Sequence, residues 1–243
     1  GDWIGDKYCS NGGFDLYDYR SDNERRSSDA LHTELSGQQT WAGLRHNLSL
    51  SVQRSRLLDR PSFMQAYNWA GTGNIDGTSD SPVAQPTPGD LNTQRSEYTT
   101  EVALRNRIEL NTQTALWLGI RHTQLNRASQ RTDGSRAVQD QRSFNTPWLA
   151  VTHQITPAYS VYGSYGEGIE TDVAPNRSRY TNAGQALPAL RSHQTEIGVK
   201  GQWAQTRWQA SGFDITRPVS GDDGTCNEDN TCTRKIDGQA RHR

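Results

Sequence analysis

The sequence has no run of 18 apolar residues, so no segment of it can cross a bilayer as a helix. Apolar residues make up only 32% of its 243 positions, and mean hydropathy is −0.90. Even with its 22 glycines added, the apolar share stays below the roughly 45–50% of an ordinary soluble domain. Such a chain is either partly disordered or has a narrow apolar face. Seven tryptophans and nine tyrosines argue against full disorder. A net charge of −1 leaves no electrostatic footprint for nucleic acid. No signal peptide is visible and residue 1 is Gly, so a mature product or a piece of something longer is expected.

Catalytic signals are equally sparse. Six histidines are scattered with no metal or triad spacing, and no Gly-x-Ser-x-Gly elbow occurs. The glycine-rich run 71–77 lacks the strand-to-helix setting that a phosphate loop needs, and is expected to be a surface loop. No enzyme, no cofactor and no metal site are therefore expected. The acidic run 222–230 has oxygen ligands that suit calcium, but its spacing misses the calcium-loop pattern. Of three cysteines, Cys226 and Cys232 could close a small disulfide in an oxidising compartment, and Cys9 has no evident partner. All but three of the 26 basic residues are arginine, the exceptions being Lys7, Lys200 and Lys235. Coding bias explains that first, and anion recognition through the arginine fork second.

What the chain does have is period-2 alternation, the mark of strands with one apolar face. Leu44, His46, Leu48, Leu50 and Val52 alternate with Arg45, Asn47, Ser49, Ser51 and Gln53. Comparable alternation runs through 98–110 and 194–203, and more weakly through five other segments. A phase slip at Gly212 and Phe213 suggests a bulge. The predicted strands pair as 29–38 with 44–57, 96–110 with 114–127, 146–155 with 158–168, and 192–203 with 206–217, each pair through a tight turn. The links between pairs, near 58–95, 128–145, 169–191 and 218–232, are long and polar. In an up-and-down sheet this puts tight turns at one end and long loops at the other, as in outer-membrane barrels. Tyr159, Trp203 and Trp208 fall near the short turns, where an interfacial girdle belongs. The fold class expected is an all-β, antiparallel, up-and-down transmembrane β-barrel.

The stretch Val161–Gly168, then Pro175-Asn176-Arg177, then 180–190, then Gln194–Lys200 resembles the barrel of TonB-dependent ferric-siderophore receptors. Gly184, Leu187 and Pro188 fit that family's Gly-x-x-Leu-x-Pro loop, and Glu196, Gly198 and Lys200 fit the Glu-x-Gly-x-Lys strand that follows. The family often has Glu after the Pro, whereas this chain has Ala189. The resemblance implies a 22-strand type of barrel, of which residues 1–243 would be a partial region of about 8–10 strands, without the plug domain and remaining strands. It also implies uptake of ferric siderophore energised by the TonB complex, with outer-membrane lipid as surroundings. Aromatic faces and arginine forks near the mouth would suit a bulky, often anionic chelate, which makes Tyr67, Trp69, Tyr98, Tyr180 and Arg191 the ligand-binding candidates. The rival readings are a self-contained small barrel acting as porin or adhesin, and a soluble all-β carbohydrate-binding protein.

Overall fold

The computed structural model describes residues 3–4, 8–80, 87–226 and 231–243. In chain order its strands are β1 (Trp3–Ile4), β2 (Tyr8–Cys9), β3 (Gly13–Arg20), β4 (Arg25–Trp41) and β5 (Leu44–Arg60). Next come β6 (Met64–Asn74), β7 (Ser79–Asp80), β8 (Asp90–Leu91), β9 (Thr93–Glu109) and β10 (Thr114–Arg131). The last five are β11 (Val138–Thr156), β12 (Tyr159–Glu170), β13 (Leu190–Trp203), β14 (Thr206–Gly224) and β15 (Cys232–His242). There is no helix among the described residues.

Nine strands form one antiparallel sheet in the order β15-β14-β13-β12-β11-β10-β9-β5-β4. Apart from the excursion between β5 and β9, every neighbour in space is a neighbour in sequence. At one end sit tight turns. Ala42 and Gly43 both take positive φ, as a type I′ hairpin turn requires. Asn111 closes the next turn, its Oδ1 accepting from the backbone N–H of Gln113 and Thr114 at 2.8 Å each. At the other end the chain makes its longer connections. The run 61–92 contributes β6, β7 and β8 to a second sheet, where β6 also pairs with β3.

Register divides the main sheet into two faces. Leu35, Leu50, Leu104, Ile120 and Pro147 lie directly across from one another on one face. Leu48, Val52, Val102, Leu118, Leu149 and Ile197 join them, all well exposed. From Leu44 to Val52 this apolar belt is nine residues tall, close to the 9–11 that a tilted transmembrane strand takes. The other face is charged and self-compensating. Arg105 pairs with Glu34, Arg107 with Glu109, Arg121 with Glu101, and Arg127 with Glu97.

Three sequence expectations are corrected, and a fourth lies partly outside the described residues. The link 128–145 is mostly strand, since β10 and β11 stay paired from Ser129 and Val138 inward, leaving only 132–137 as a turn. Apart from Ala128, Val138 and Phe144 these strand residues are polar, so alternation gave no signal there. The glycine-rich run 71–77 is not a free loop: its first half ends β6, paired with β3. No bulge occurs at Gly212 and Phe213, because the β13–β14 ladder runs unbroken through Glu196–Phe213 and Ile197–Gly212. The apolar phase changes there because Phe213 turns toward the charged face. The bulge in β14 comes later, between Pro218 and Ser220. Finally, the oxygen-rich run 222–230 lies partly outside the described residues, at 227–230.

Candidate ligand site at the mouth of the barrel

The connection 171–189 does not extend away from the sheet. It folds back over the charged face at the long-loop end and holds much of the molecule's buried core: Ala174, Tyr180, Ala183, Ala186, Leu187 and Ala189. Small side chains let its backbone lie close to the sheet. Ala189 is fully buried against Leu125 and Phe144. An ionised glutamate there would lose its hydration without a partner, which accounts for alanine at this position. Gly184 sits at φ +69°, and a Cβ there would meet the Thr93 side chain at 2.5 Å, so only glycine fits.

Arg127 fastens the neck of this connection. It is 5% exposed, and its guanidinium donates to the carbonyls of Leu187 (2.6 Å) and Asp172 (3.2 Å) and to Glu97 (2.8 Å). A buried amide network ties the connection to the 61–92 excursion. Asn176 donates to Asn92 (2.8 Å) and Gln65 (3.2 Å), and Gln65 donates back to the Asn176 carbonyl (2.5 Å). Farther along, Cys226 and Cys232 form a disulfide, and the Cys232 backbone bonds with Arg179 and Thr181.

Between the connection, β3, β6 and the ends of β5 and β9 lies a cavity of about 320 Å³, lined by Tyr19, Tyr67, Arg26, Arg95, Asn176 and Arg177 among others. Asp59 lies directly across from Arg26 on one side and Arg95 on the other, and both pair with it. Arg177 differs. Its guanidinium lies 4.1 Å over the Tyr67 ring, which in turn stacks on Tyr17 at 5.3 Å and 10°. Among the described residues no carboxylate pairs with Arg177. Burial, ahead of the Glu24 contact, raises the Tyr19 phenol above its ordinary value, so it stays a neutral donor. The cavity therefore offers one uncompensated cation and flat aromatic surface.

A single family model spans residues 2–243, that of the TonB dependent receptor-like β-barrel. The chain belongs to this family. Its sheet is one part of a larger outer-membrane barrel of this family, with the apolar belt toward lipid and the charged face toward the lumen. Solved structures agree on the fold. The chain is similar to BauA, the ferric preacinetobactin receptor from Acinetobacter baumannii, with a TM-score of 0.69 and 21% identity over 96% of this chain and 35% of that one. It is similar to the ferric citrate transporter FecA (TM-score 0.64, 12% identity, 95% and 32% covered). It is also similar to FpvA of P. aeruginosa (0.61, 18%, 96% and 31%). The chain thus spans about a third of the length of these receptors. No curated protein matches its sequence.

Within the receptor barrel, the five ligand candidates scatter. Tyr67 lines the mouth cavity. Trp69 is exposed on the same strand and donates to Asp15 at 3.2 Å. Tyr180 is a buried residue of the connection itself, its hydroxyl donating to Asp222 at 3.0 Å, so its ring is core rather than contact surface. Tyr98 lies across from Arg56 and Asn126 on the apolar face, outside the lumen. Arg191 pairs with Glu167 at 3.2 Å, away from the cavity. Sequence reasoning missed Tyr17, Tyr19, Arg26, Arg95 and Arg177. Arg177 is the last residue of the motif Pro175-Asn176-Arg177, and its position was the available signal. The tyrosines were hidden because β3 shows no clean alternation. The strand motif does converge: Glu196 accepts from the Tyr162 hydroxyl, Gly198 lies under that ring, and Lys200 sits 4.8 Å from its centroid.

Proposed function

We propose that the protein containing this chain captures a ferric siderophore at the outer-membrane surface and passes it inward using energy from TonB. It does so by binding and gating, without making or breaking covalent bonds. The observation that carries the reading is Arg177 held 4.1 Å over the Tyr67 ring, with no carboxylate partner among the described residues, both lining a cavity at the long-loop end of the barrel. A guanidinium stacked in this way keeps its N–H edge free for carboxylate or other oxyanion groups of a chelator, and the tyrosines offer faces for its apolar parts. The structural neighbours, a ferric preacinetobactin receptor and a ferric citrate transporter, point the same way.

The rival readings fit less well. A self-contained porin would close its sheet, whereas β4 and β15 are unpaired with each other among the described residues. A soluble carbohydrate-binding sheet would not present a nine-residue belt of exposed Leu, Val and Ile.

The test is uptake of radio-iron chelates by cells carrying the full-length protein. Uptake of an anionic ferric chelate should require TonB and fall at least about ten-fold in Arg177→Gln, the loss of one charge-assisted contact. Uptake indifferent to TonB, or equal in the variant, would overturn the reading.

A further inference from the structure

One residue breaks the polar face of β5. The lumen-facing positions of that strand run Arg45, Asn47, Ser49, Ser51, Gln53, Ser55, Leu57 and Asp59. A lumen wall is polar by default, and Leu57 is the single apolar side chain in the row. Its neighbours in the sheet give it no apolar partner, since Ser28 on β4 and Glu97 on β9 lie directly across from it. It is 47% exposed.

Leu57 lines a second cavity, of about 360 Å³, together with Val173 and Ala186 from the neck of the 171–189 connection. Val173 and Ala186 pair with each other across that neck. Arg127 holds the carbonyls of the residues beside them, Asp172 and Leu187, so the cavity is built before a ligand arrives. Charged groups line it too, but they satisfy one another. Asp59 takes Arg26 and Arg95, and Glu97 takes Arg127 at 2.8 Å. A ligand charge placed here would lose its water and find no free partner. An apolar group would be covered by Leu57, Val173 and Ala186. Arg26, Asp59 and Arg95 also line the mouth cavity, so the two cavities adjoin at this trio. The outer one offers Arg177 and aromatic rings, the inner one an apolar lining, and each has the size of a small-molecule site.

We propose that the ligand is an amphiphilic ferric chelate, with its anionic head against Arg177 and Tyr67 and a short acyl chain in the inner cavity beside Leu57. This rests on the siderophore reading of the mouth and adds to it the chemical class of the chelate. Leu57 then selects acylated chelates over wholly polar ones.

The experiment measures binding of four probes to the full-length protein in one detergent. They are ferric complexes of a carboxylate-bearing trihydroxamate whose terminal amine carries an acyl chain of two, four, six or eight carbons. Octanoate alone is a further arm. Affinity should rise about two- to four-fold for each methylene the cavity takes up. In Leu57→Gln that rise should fall by roughly half, and in Leu57→Trp, which fills the cavity, it should vanish. Both variants should bind the two-carbon probe as the parent does, and heat-modified gel mobility checks that they fold. Arg177→Gln should weaken all four probes by the same factor. Equal affinity across the series, an undiminished rise in both folded Leu57 variants, or displacement of the eight-carbon probe by equimolar octanoate would each overturn the proposal and leave the mouth reading in place. Failure of every probe to bind, or indifference of all four to Arg177→Gln, would overturn the mouth reading and this proposal with it.

Discussion

The ring of Tyr162 lies over Gly198, directly across the β12–β13 ladder, so close that a Cβ on Gly198 would sit 2.6 Å from the ring. The same pairing recurs with Trp148 over Gly119 and Trp208 over Gly201. An aromatic ring covering a glycine across the strand restores the packing that the missing side chain gives up. It also explains physically why the Glu-x-Gly-x-Lys strand needs its central glycine. Gly198→Ala should therefore push the ring off its place and destabilise the barrel by about 1–3 kcal/mol. Denaturant titration of heat-modifiable mobility checks this, and a variant as stable as the parent would contradict it.

Arg127 should be the main fastener of the 171–189 connection. Arg127→Ala removes its bonds to Leu187 and Asp172 and leaves Glu97 without its partner, a loss of about 2–4 kcal/mol. Hydrogen exchange across 171–189 should rise sharply while the strands stay protected. Arg127→Lys should not rescue it, because one ammonium cannot reach both carbonyls and the carboxylate in the planar fork geometry. Unchanged exchange in the alanine variant would remove Arg127 from this role.

The Cys226–Cys232 disulfide closes a short loop whose second cysteine bonds to the 171–189 connection and packs on Tyr180. Replacing both cysteines with serine should cost about 2 kcal/mol. The effect should show as faster proteolysis near Arg179 and Arg234. Proteolysis at the parent rate would mean that the hydrogen bonds suffice by themselves.

Tyr180 gives a pH signature. Burial, then its bond to Asp222, raises its phenol above the ordinary value near 10. A raised folded value means that the stability Tyr180 contributes is complete below pH ~10, its unfolded value. It is lost only as pH rises through the higher folded one. Absorbance at the phenolate band should show Tyr180 among the late-titrating tyrosines, its step coinciding with loosening of 171–189. Tyr180→Phe should lose one late-titrating phenol relative to the parent, and the coupled loosening with it.

Much of the fold could be read from sequence because lipid and lumen impose opposite demands on alternate residues. Leu48, Leu50 and Val52 against Asn47, Ser49 and Ser51 leave one assignment of faces, and the turns at 42–43, 111–113 and 204–205 follow. Above the belt that contrast disappears, since both faces meet water. Strand ends such as 128–131 and 138–145 were hidden for that reason, as was the second sheet. The mouth was legible only in part. Tyr67 lies there, but Tyr98 differs from a lumen residue by a single step of parity at a polar strand end, and only register resolves it. Arg177 becomes a neighbour of Tyr67 through a connection folded back across more than 100 residues of chain, and Tyr17 through the β3–β6 pairing across 50, neither of which a local pattern encodes.

The central claim is that the ligand sits against Tyr67 and Arg177. The most direct measurement is an anomalous-scattering map at the iron edge, from crystals of the full-length protein grown with an anionic ferric chelate. The account predicts an iron peak in the mouth, with chelate density touching the Arg177 guanidinium and the Tyr67 ring. Iron bound elsewhere on the barrel, with that cavity empty, would contradict it.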